Sequence, residues 1–365
     1  YGILTNRSGK VILNGDNNIE VTGYGNTYIS GIRADAGSEI KDTAIEFNGK
    51  NTKITATEAT AATGYQYIAG VWGARDIEFK NHENLIIETT SNKNAENIGI
   101  FMTGGATSKI DSQETTILVN SLWNSAGYGI RNDASGSGQS GVGGNIEIIG
   151  GKTVIAVKGE NGGKTYGIHS RAAGEIKIGG NSLEINSVSE KDEAYGIMTT
   201  KTGSESAEGK IYINSANSKI TAESKVSSKK SYAVSTQGKK DGYISIEGNN
   251  HIEAKAINAD DAYAVYANAK GKIEINKENT EEQNRIIGRV FAEGNLLSGK
   301  GEINLNLNGK DSFLIGNTDY SGTITKGIVN LGVSNKAVWK NENDSKVTNF
   351  VFNGGITDMT YDKKH

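Results

Sequence analysis

The sequence predicts an all-β chain that is coiled into a right-handed parallel β-helix. Three features lead to this prediction: a Tyr-Gly-Ile triplet that returns about every 30 residues, alternating apolar and polar residues between its copies, and Gly or Asn turns too short for crossover helices. A repeat of this size cannot bury its own apolar face, so it must stack on its neighbours. We therefore expect the 365 residues to form one continuous rod.

The triplet marks the first strand of each unit. It occurs as Tyr166-Gly167-Ile168 and again, 29 positions later, as Tyr195-Gly196-Ile197. Related triplets lie at 1–3, 30–32, 69–71, 98–100, 128–130, 232–234 and 263–265. Under strict period-2 alternation, each tyrosine shares a face with the isoleucine two positions later, which predicts an inward or corner stack of tyrosines. The alternative is an exposed row of rings that binds carbohydrate.

The second and third strands of a unit follow as a Gly-x-Ile-x-Ile segment and one further alternation. In the clearest unit, Ile176 and Ile178 face the interior and Lys177 faces solvent. Three such strands joined by tight turns close into a triangular coil. Roughly twelve coils with a rise of about 4.8 Å each fit the chain. The hand is predicted to be right, because right-handed crossovers between parallel strands are strongly favoured.

Asparagine recurs at the turn between the second and third strands. The positions are Asn17, Asn51, Asn181, Asn217 and Asn249. Asparagine tolerates a left-handed backbone better than most residues, and stacked amides form ladders. We therefore expect left-handed turn positions with stacked side chains, and not a ligand site.

Longer steps between triplets indicate loops that leave the rod. They fall at 57–66, 134–144, 199–208 and 276–284. Such loops are either tolerated insertions or the contact loops that solenoids often carry on one edge. Both interpretations stay open at this point.

Composition excludes several function classes. The chain has no cysteine, which excludes disulfides and thiolate metal or redox sites, and its net charge of -3 gives no electrostatic footprint for nucleic acid. It also has no proline, as expected for a chain made of sheet ladders. The acidic pairs are too sparse for a calcium site. We expect neither a cofactor nor a metal.

The pattern changes near Gly288, which divides a rod at 1–287 from a C-terminal region at 288–365. Trp339 and Phe352 are larger than the apolar residues of the earlier repeats. A rod must close its apolar cross-section, so this region is expected to supply the last coils and a bulkier cap. The chain begins inside a repeat at Tyr1, without a signal peptide, and is expected to be a piece of a longer protein.

The C-terminal region resembles the end of autotransporter passenger domains, which belong to type V secretion. The matching elements are Ser312 with Gly316, Gly327 with Asn330-Leu331, Asn335 to Trp339, Ser345-Lys346-Val347 and Gly354-Gly355. The resemblance is specific over about the last 60 residues. It implies a rod on the surface of a Gram-negative-type bacterium, anchored in the outer membrane through a barrel that this chain lacks, or secreted. It also implies an autochaperone-like C-terminal stack that folds first.

Four charged residues are the candidate binding site: Arg131, Asp133, His169 and Arg171. Arg131 follows Ile130 as His169 follows Ile168, so these residues lie at equivalent places in adjacent units. Enzymes of the β-helix class that degrade polysaccharides need clustered carboxylates, often with a Lys or Arg, on one outer face. Outward charges in register are routine on solenoids, so we assign these residues to binding and name no catalytic residue.

The sequence therefore predicts an adhesin that is not an enzyme. Its partner would be a protein or glycan receptor on a host or bacterial surface, or a second copy of the rod in trans, and many weak contacts along the rod would supply the affinity. Autoaggregation, coaggregation and biofilm formation are the corresponding activities. The alternatives are a surface polysaccharide-degrading enzyme and a passive stalk for an N-terminal domain.

Overall fold

The structure, a computed structural model, consists almost entirely of β-strands. It describes residues 1–6, 8–24, 28–35, 43–59, 67–93, 95–134, 142–200, 209–238, 241–322 and 324–359. The helical content of these residues is one 3-10 turn at Ala259–Asp261. No helix in these ranges has the length and apolar character needed to cross a membrane.

The strands are short at both ends of the chain and long in the middle. In chain order they are β1 (Ile3–Thr5), β2 (Val11–Leu13), β3 (Asn17–Gly23), β4 (Ile29–Ala34), β5 (Ile45–Phe47), β6 (Asn51–Glu58), β7 (Tyr67–Gly73), β8 (Ile77–Ser91), β9 (Glu96–Thr103), β10 (Thr107–Ser121), β11 (Gly127–Asp133), β12 (Asn145–Gly159), β13 (Thr165–Ser170), β14 (Glu175–Ser189), β15 (Ala194–Thr200), β16 (Lys210–Ser224), β17 (Ser231–Gln237), β18 (Tyr243–Ile246), β19 (Asn249–Ala256), β20 (Ala262–Ala267), β21 (Lys272–Ile275), β22 (Asn284–Ile287), β23 (Arg289–Asn295), β24 (Gly299–Lys300), β25 (Glu302–Asn308), β26 (Phe313–Ile315), β27 (Thr318–Ser321), β28 (Ile328–Ser334), β29 (Val338–Lys340), β30 (Asn349–Asn353) and β31 (Ile356–Asp358).

The triplet strands form one parallel sheet, here called sheet 1. Its order is β1-β4-β7-β9-β11-β13-β15-β17-β20-β23, and β27 continues it beyond β23. Equivalent triplet positions pair directly, as Ile130 with Ile168 and Ile168 with Ile197. The repeat seen in the sequence is therefore the register of this sheet.

The second and third strands of the repeats form the remaining parallel ladders, here called sheet 2. In the middle of the chain they run together as 15-residue strands, such as β14 and β16. Further along, β18 pairs with the first part of β16 and β19 with its last part. Each 15-residue strand thus contains both the second and the third strand of its repeat, and its two halves belong to two different faces of the molecule. Long parallel sheets stacked in this way are consistent with a parallel β-helix.

The core is a column of Ile, Val and Leu side chains enclosed by the two sheets. Ile168 of β13 and Ile176 and Ile185 from the two halves of β14 are all fully buried in it. Trp339 joins the column near its C-terminal end, and its Nε1 donates a hydrogen bond to the Gly316 carbonyl at 3.1 Å. Phe352, which was expected in the cap, is half exposed on β30.

The asparagine turns are only partly as predicted. Side-chain ladders do form: Asn84 Nδ2 donates to Asn51 Oδ1 at 2.8 Å, and Asn249 Nδ2 donates to Asn217 Oδ1 at 3.3 Å. The predicted left-handed backbone at the five asparagines is wrong, because none of them has a positive φ. At two of them the glycine immediately before takes that conformation instead: Gly180 with φ of 113° and Gly248 with φ of 87°. The asparagine is thereby free to extend and reach its neighbour.

The predicted loops at 57–66, 134–144 and 199–208 lie largely outside the described residues, in the ranges 60–66, 135–141 and 201–208. The loop at 276–284 is described. There Asn276 accepts hydrogen bonds from the Thr280 backbone N–H and hydroxyl at 2.9 and 2.8 Å, which closes a tight turn between β21 and β22.

Candidate binding surfaces

The outer face of sheet 1 carries a continuous stack of tyrosine rings. Neighbouring rings of Tyr128, Tyr166, Tyr195, Tyr232 and Tyr263 lie 4.8, 4.8, 5.0 and 5.1 Å apart and are nearly parallel. All five side chains are buried. The structure therefore confirms a buried stack and contradicts an exposed carbohydrate-binding row.

The face assigned to these tyrosines from the sequence was wrong. The core column contains Ile130, whereas Tyr128 belongs to a separate cluster on the other side of sheet 1. Gly129, which lies between these two residues in the sequence, also faces the core. A Cβ added to it would lie 2.6 Å from the Gly167 carbonyl oxygen and closer still to Ile155 Cγ2. Two consecutive residues thus point inward, which breaks the alternation and turns the tyrosine outward.

A second row on this outer face runs beside the tyrosines, three positions after the first residue of each triplet. Its members in register are Trp72, Phe101, Arg131, His169 and Met198. The His169 ring stacks on Tyr166 at 4.5 Å and on Tyr128 at 5.6 Å. Aromatic and apolar side chains therefore flank Arg131 and His169 on both sides along the row.

The structure brings all four predicted binding residues together. Arg131 Nη1 lies 2.5 Å from Glu96 Oε2, and Arg131 Nη2 lies 2.5 Å from Asp133 Oδ2. Arg171 Nη1 contacts the same Asp133 oxygen at 3.1 Å. Equivalent positions in adjacent units do therefore meet. Glu96, which no sequence pattern had singled out, completes the cluster.

Arg131 is enclosed to a degree that the sequence did not suggest. It is only 1% exposed, and its guanidinium lies 4.7 Å from the Tyr128 ring centroid. Burial acts to lower the pKa of Arg131, but Tyr128, Glu96 and Asp133 together raise it above its usual value. Burial acts to raise the pKa of Asp133, and the two arginines outweigh it, so the carboxylate stays charged with a lowered pKa.

His169 is held neutral within the cluster. Burial lowers the pKa of His169 well below its usual 6.5, and the positive charges of Arg171 and Arg131 lower it further. Its Nε2 lies 2.8 Å from Thr200 Oγ1. Burial also raises the pKa of Tyr128 to about 12, so its hydroxyl stays protonated at neutral pH.

This arrangement is suited to holding the outer face together. Arg131 and His169 have almost no free surface for a ligand, whereas the Arg171 side chain is 23% exposed. Binding by these four residues stays a prediction, with Arg171 as the accessible member. Among the described residues, no group of three or more His, Cys, Asp or Glu side chains is placed to hold a metal ion.

A second surface, here called the aliphatic patch, lies on the outer face of the third-strand ladder. Its members are Ile86, Leu118, Val154, Ala156 and Val188, all half-buried. Their chain neighbours Ile87, Ile117 and Ile155 are in the core, so alternation directs the patch residues outward. Leu118 pairs with Ala156 in the ladder, which makes the patch continuous across strands.

The sequence analysis missed this patch, although a signal was present. At these positions the alternation gives way to aliphatic runs, such as Ile117-Leu118-Val119 and Val154-Ile155-Ala156-Val157. Such runs place apolar residues on both faces of a strand. Lys–Glu pairs border the patch, including Lys53 with Glu88 at 2.8 Å and Lys219 with Glu184 at 3.4 Å.

Comparison with known protein families, with curated proteins and with solved structures finds no match to this chain.

Proposed function

We propose that this chain is the rod of a bacterial surface adhesin of the autotransporter type, coiled as a right-handed β-helix of about twelve turns. It would act at the cell surface, anchored in the outer membrane or secreted, and join cells through contacts along its flank. The aliphatic patch carries this proposal. A continuous apolar area on an outer face, half-buried and with a charged border, is typical of a surface that associates with another protein.

The order of side chains through the patch favours a second copy of the rod as the partner. One outward column reads, from strand to strand, Lys53, Ile86, Thr116, Val154 and Glu184. Over these five strands the column is symmetric about Thr116: an aliphatic residue stands one strand away on each side, and opposite charges stand two strands away. The ladder continues beyond them to Asn18 and Lys219. A surface with this order is complementary to itself when one copy is reversed.

Two antiparallel rods related by a two-fold axis along the Thr116 strand make use of that symmetry. Ile86 of one copy then faces Val154 of the other, and Lys53 faces Glu184. In the neighbouring column, which reads Glu88, Leu118 and Ala156, Leu118 lies on the axis. Glu88 of one copy then faces Ala156 of the other. Parallel rods joined along that second column would instead bring Glu88 against Glu88, which like-charge repulsion disfavours.

A charge exchange between two cell populations tests this arrangement. Cells that display Lys53→Glu, and separately cells that display Glu184→Lys, are expected to lose aggregation, because each rod then places like charges opposite each other. Mixing the two populations restores both opposite-charge pairs and should restore clumping between differently labelled cells. Flow cytometry of two-colour aggregates measures the outcome.

Lys177→Glu is the matched control for this test. Lys177 is similarly exposed and also pairs with a glutamate, Glu175, but it lies on the face of the second strand. It should leave aggregation unchanged. If the mixed population stays dispersed, or if wild-type cells do not aggregate with one another, antiparallel self-association through this patch is wrong.

A further inference from the structure

Three successive turns near the C-terminal part of sheet 1 form a small basic and apolar surface, here called the turn cluster. The turns lie at 268–271, at 295–299, and at 321–322 together with 324–327. They follow β20, β23 and β27, three neighbouring strands of sheet 1, so they occupy the same edge of the molecule. We propose that the turn cluster binds the surface of an anionic lipid bilayer.

The middle turn is a protruding hairpin. β23 and β24 pair antiparallel, with Gly294 opposite Lys300, in a molecule whose other strand pairings are parallel within the described residues. Asn295 Oδ1 accepts hydrogen bonds from the backbone N–H groups of Leu297 at 2.9 Å and of Ser298 at 3.4 Å. The tip is therefore preorganised and does not collapse onto the sheet.

This ordered tip presents apolar side chains to solvent. Leu296 is 64% exposed and Leu297 is 96% exposed. Ile324, in the next turn, is 75% exposed. The hydrogen-bonded tip holds the two leucines outward, and Ile324 adds a third exposed aliphatic side chain. Such exposed groups point to contact with an apolar phase or a partner.

The two apolar turns are physically adjacent. A Cβ added to Gly294, at the base of the hairpin, would overlap the Thr325 carbonyl, and one added to Gly322 would lie 2.8 Å from the Gly294 carbonyl. The third turn is in contact as well, because the Lys270 side chain passes beside Gly299, whose added Cβ would lie 2.6 Å from Lys270 Cγ. Residues separated by more than fifty positions in the sequence thus share one surface.

One exposed lysine lies in or directly after each turn, at the flank of these apolar tips: Lys270, Lys300 and Lys326. The three turn segments contain no Asp or Glu, in a chain whose net charge is -3. Of the carboxylates that flank the hairpin, Glu302 pairs with Lys272 at 3.6 Å, whereas Glu293 accepts a hydrogen bond from the Tyr266 hydroxyl and keeps its charge. Within the described residues, the lysines of the turn cluster have no ion-pair partner.

An anionic bilayer surface fits this combination better than a protein groove does. The apolar side chains stand on convex tips that can enter the boundary between headgroups and acyl chains, while lysines beside them reach the phosphates. Each lysine held near such a surface raises partitioning about fivefold, so the three together contribute roughly a hundredfold. Neither the tips nor the lysines alone would give comparable binding.

The test uses the full chain with Leu297→Trp and vesicles of phosphatidylcholine, with or without phosphatidylglycerol. We expect the added indole emission to shift to shorter wavelength, and to be quenched by brominated acyl chains, only with the anionic vesicles. Ile257→Trp is the matched control, since Ile257 is 65% exposed but precedes β20 at the opposite edge of sheet 1. It should show neither change.

A second variant separates the contribution of charge from that of the apolar tip. The triple change Lys270→Gln, Lys300→Gln and Lys326→Gln alters only exposed positions and is expected to reduce partitioning into anionic vesicles by roughly a hundredfold. The proposal is overturned if the triple variant binds as the parent does, if Ile257→Trp responds like Leu297→Trp, or if neither vesicle type is bound. In the last case an acidic protein surface becomes the occupant to test.

Discussion

Replacing Gly167 by alanine is expected to destabilise the molecule, because the glycine of the triplet faces a crowded core. A Cβ at Gly167 would lie 2.5 Å from the Gly196 carbonyl of the next strand and closer still to Ile185 Cγ2, whereas real Cβ atoms essentially never approach another atom within 3.0 Å. The carbonyl belongs to the parallel ladder and cannot move without weakening it. The sheet must therefore open locally to admit the methyl group.

Overpacking of this kind costs about 1–3 kcal/mol of unfolding free energy. Loss of the glycine's freedom in the unfolded chain offsets about 0.4–1 kcal/mol. The difference spans about 0–2.6 kcal/mol and is centred near a net destabilisation of about 1.3 kcal/mol. The following repeats have more room at this position. A Cβ added to Gly196 would lie 2.8 Å from Ile220 Cγ2, compared with 2.3 Å from Ile185 Cγ2 at Gly167. The next two triplets carry buried alanines, Ala233 and Ala264, at the equivalent position.

Urea unfolding followed by circular dichroism, with hydrogen exchange of the β13 segment, measures the change. Gly179→Ala is the control, since a Cβ there meets only the Asn214 carbonyl at 3.9 Å. We expect Gly167→Ala to lower the midpoint and to speed exchange in β13, and Gly179→Ala to do neither. Equal midpoints for the two variants would refute the inward orientation of the triplet glycine.

Two further predictions concern the buried cluster. Because the pKa of His169 in the folded chain lies well below 6.5, the unfolded chain binds a proton that the folded chain does not, so stability falls as pH drops from about 8 to about 5. His169→Phe should flatten part of that decline in the thermal midpoint, and an unchanged slope would contradict it. Arg131→Ala leaves Glu96 and the buried Asp133 short of a partner and should cost about 3–5 kcal/mol in urea unfolding. A loss below about 1 kcal/mol would show that Arg171 suffices for Asp133.

The sequence alone determined the parallel ladders and their register. The spacing from Ile168 to Ile197 is the pairing seen in sheet 1, and alternation correctly assigned Ile176 and Ile178 to the core. These features are local and repeated, so each copy of the pattern reinforces the others. The same reasoning placed Arg131 and His169 side by side in adjacent strands.

The tertiary structure decided what period and spacing do not encode. Strict alternation put Tyr128 and Ile130 on one face, but glycine between them allows two consecutive inward residues, and the tyrosines form their own stack. Burial of Arg131 depends on rings contributed by neighbouring coils. The aliphatic patch and the turn cluster likewise exist only after stacking, because a strand's outer neighbours come from residues about 30 positions away and not from its own alternation.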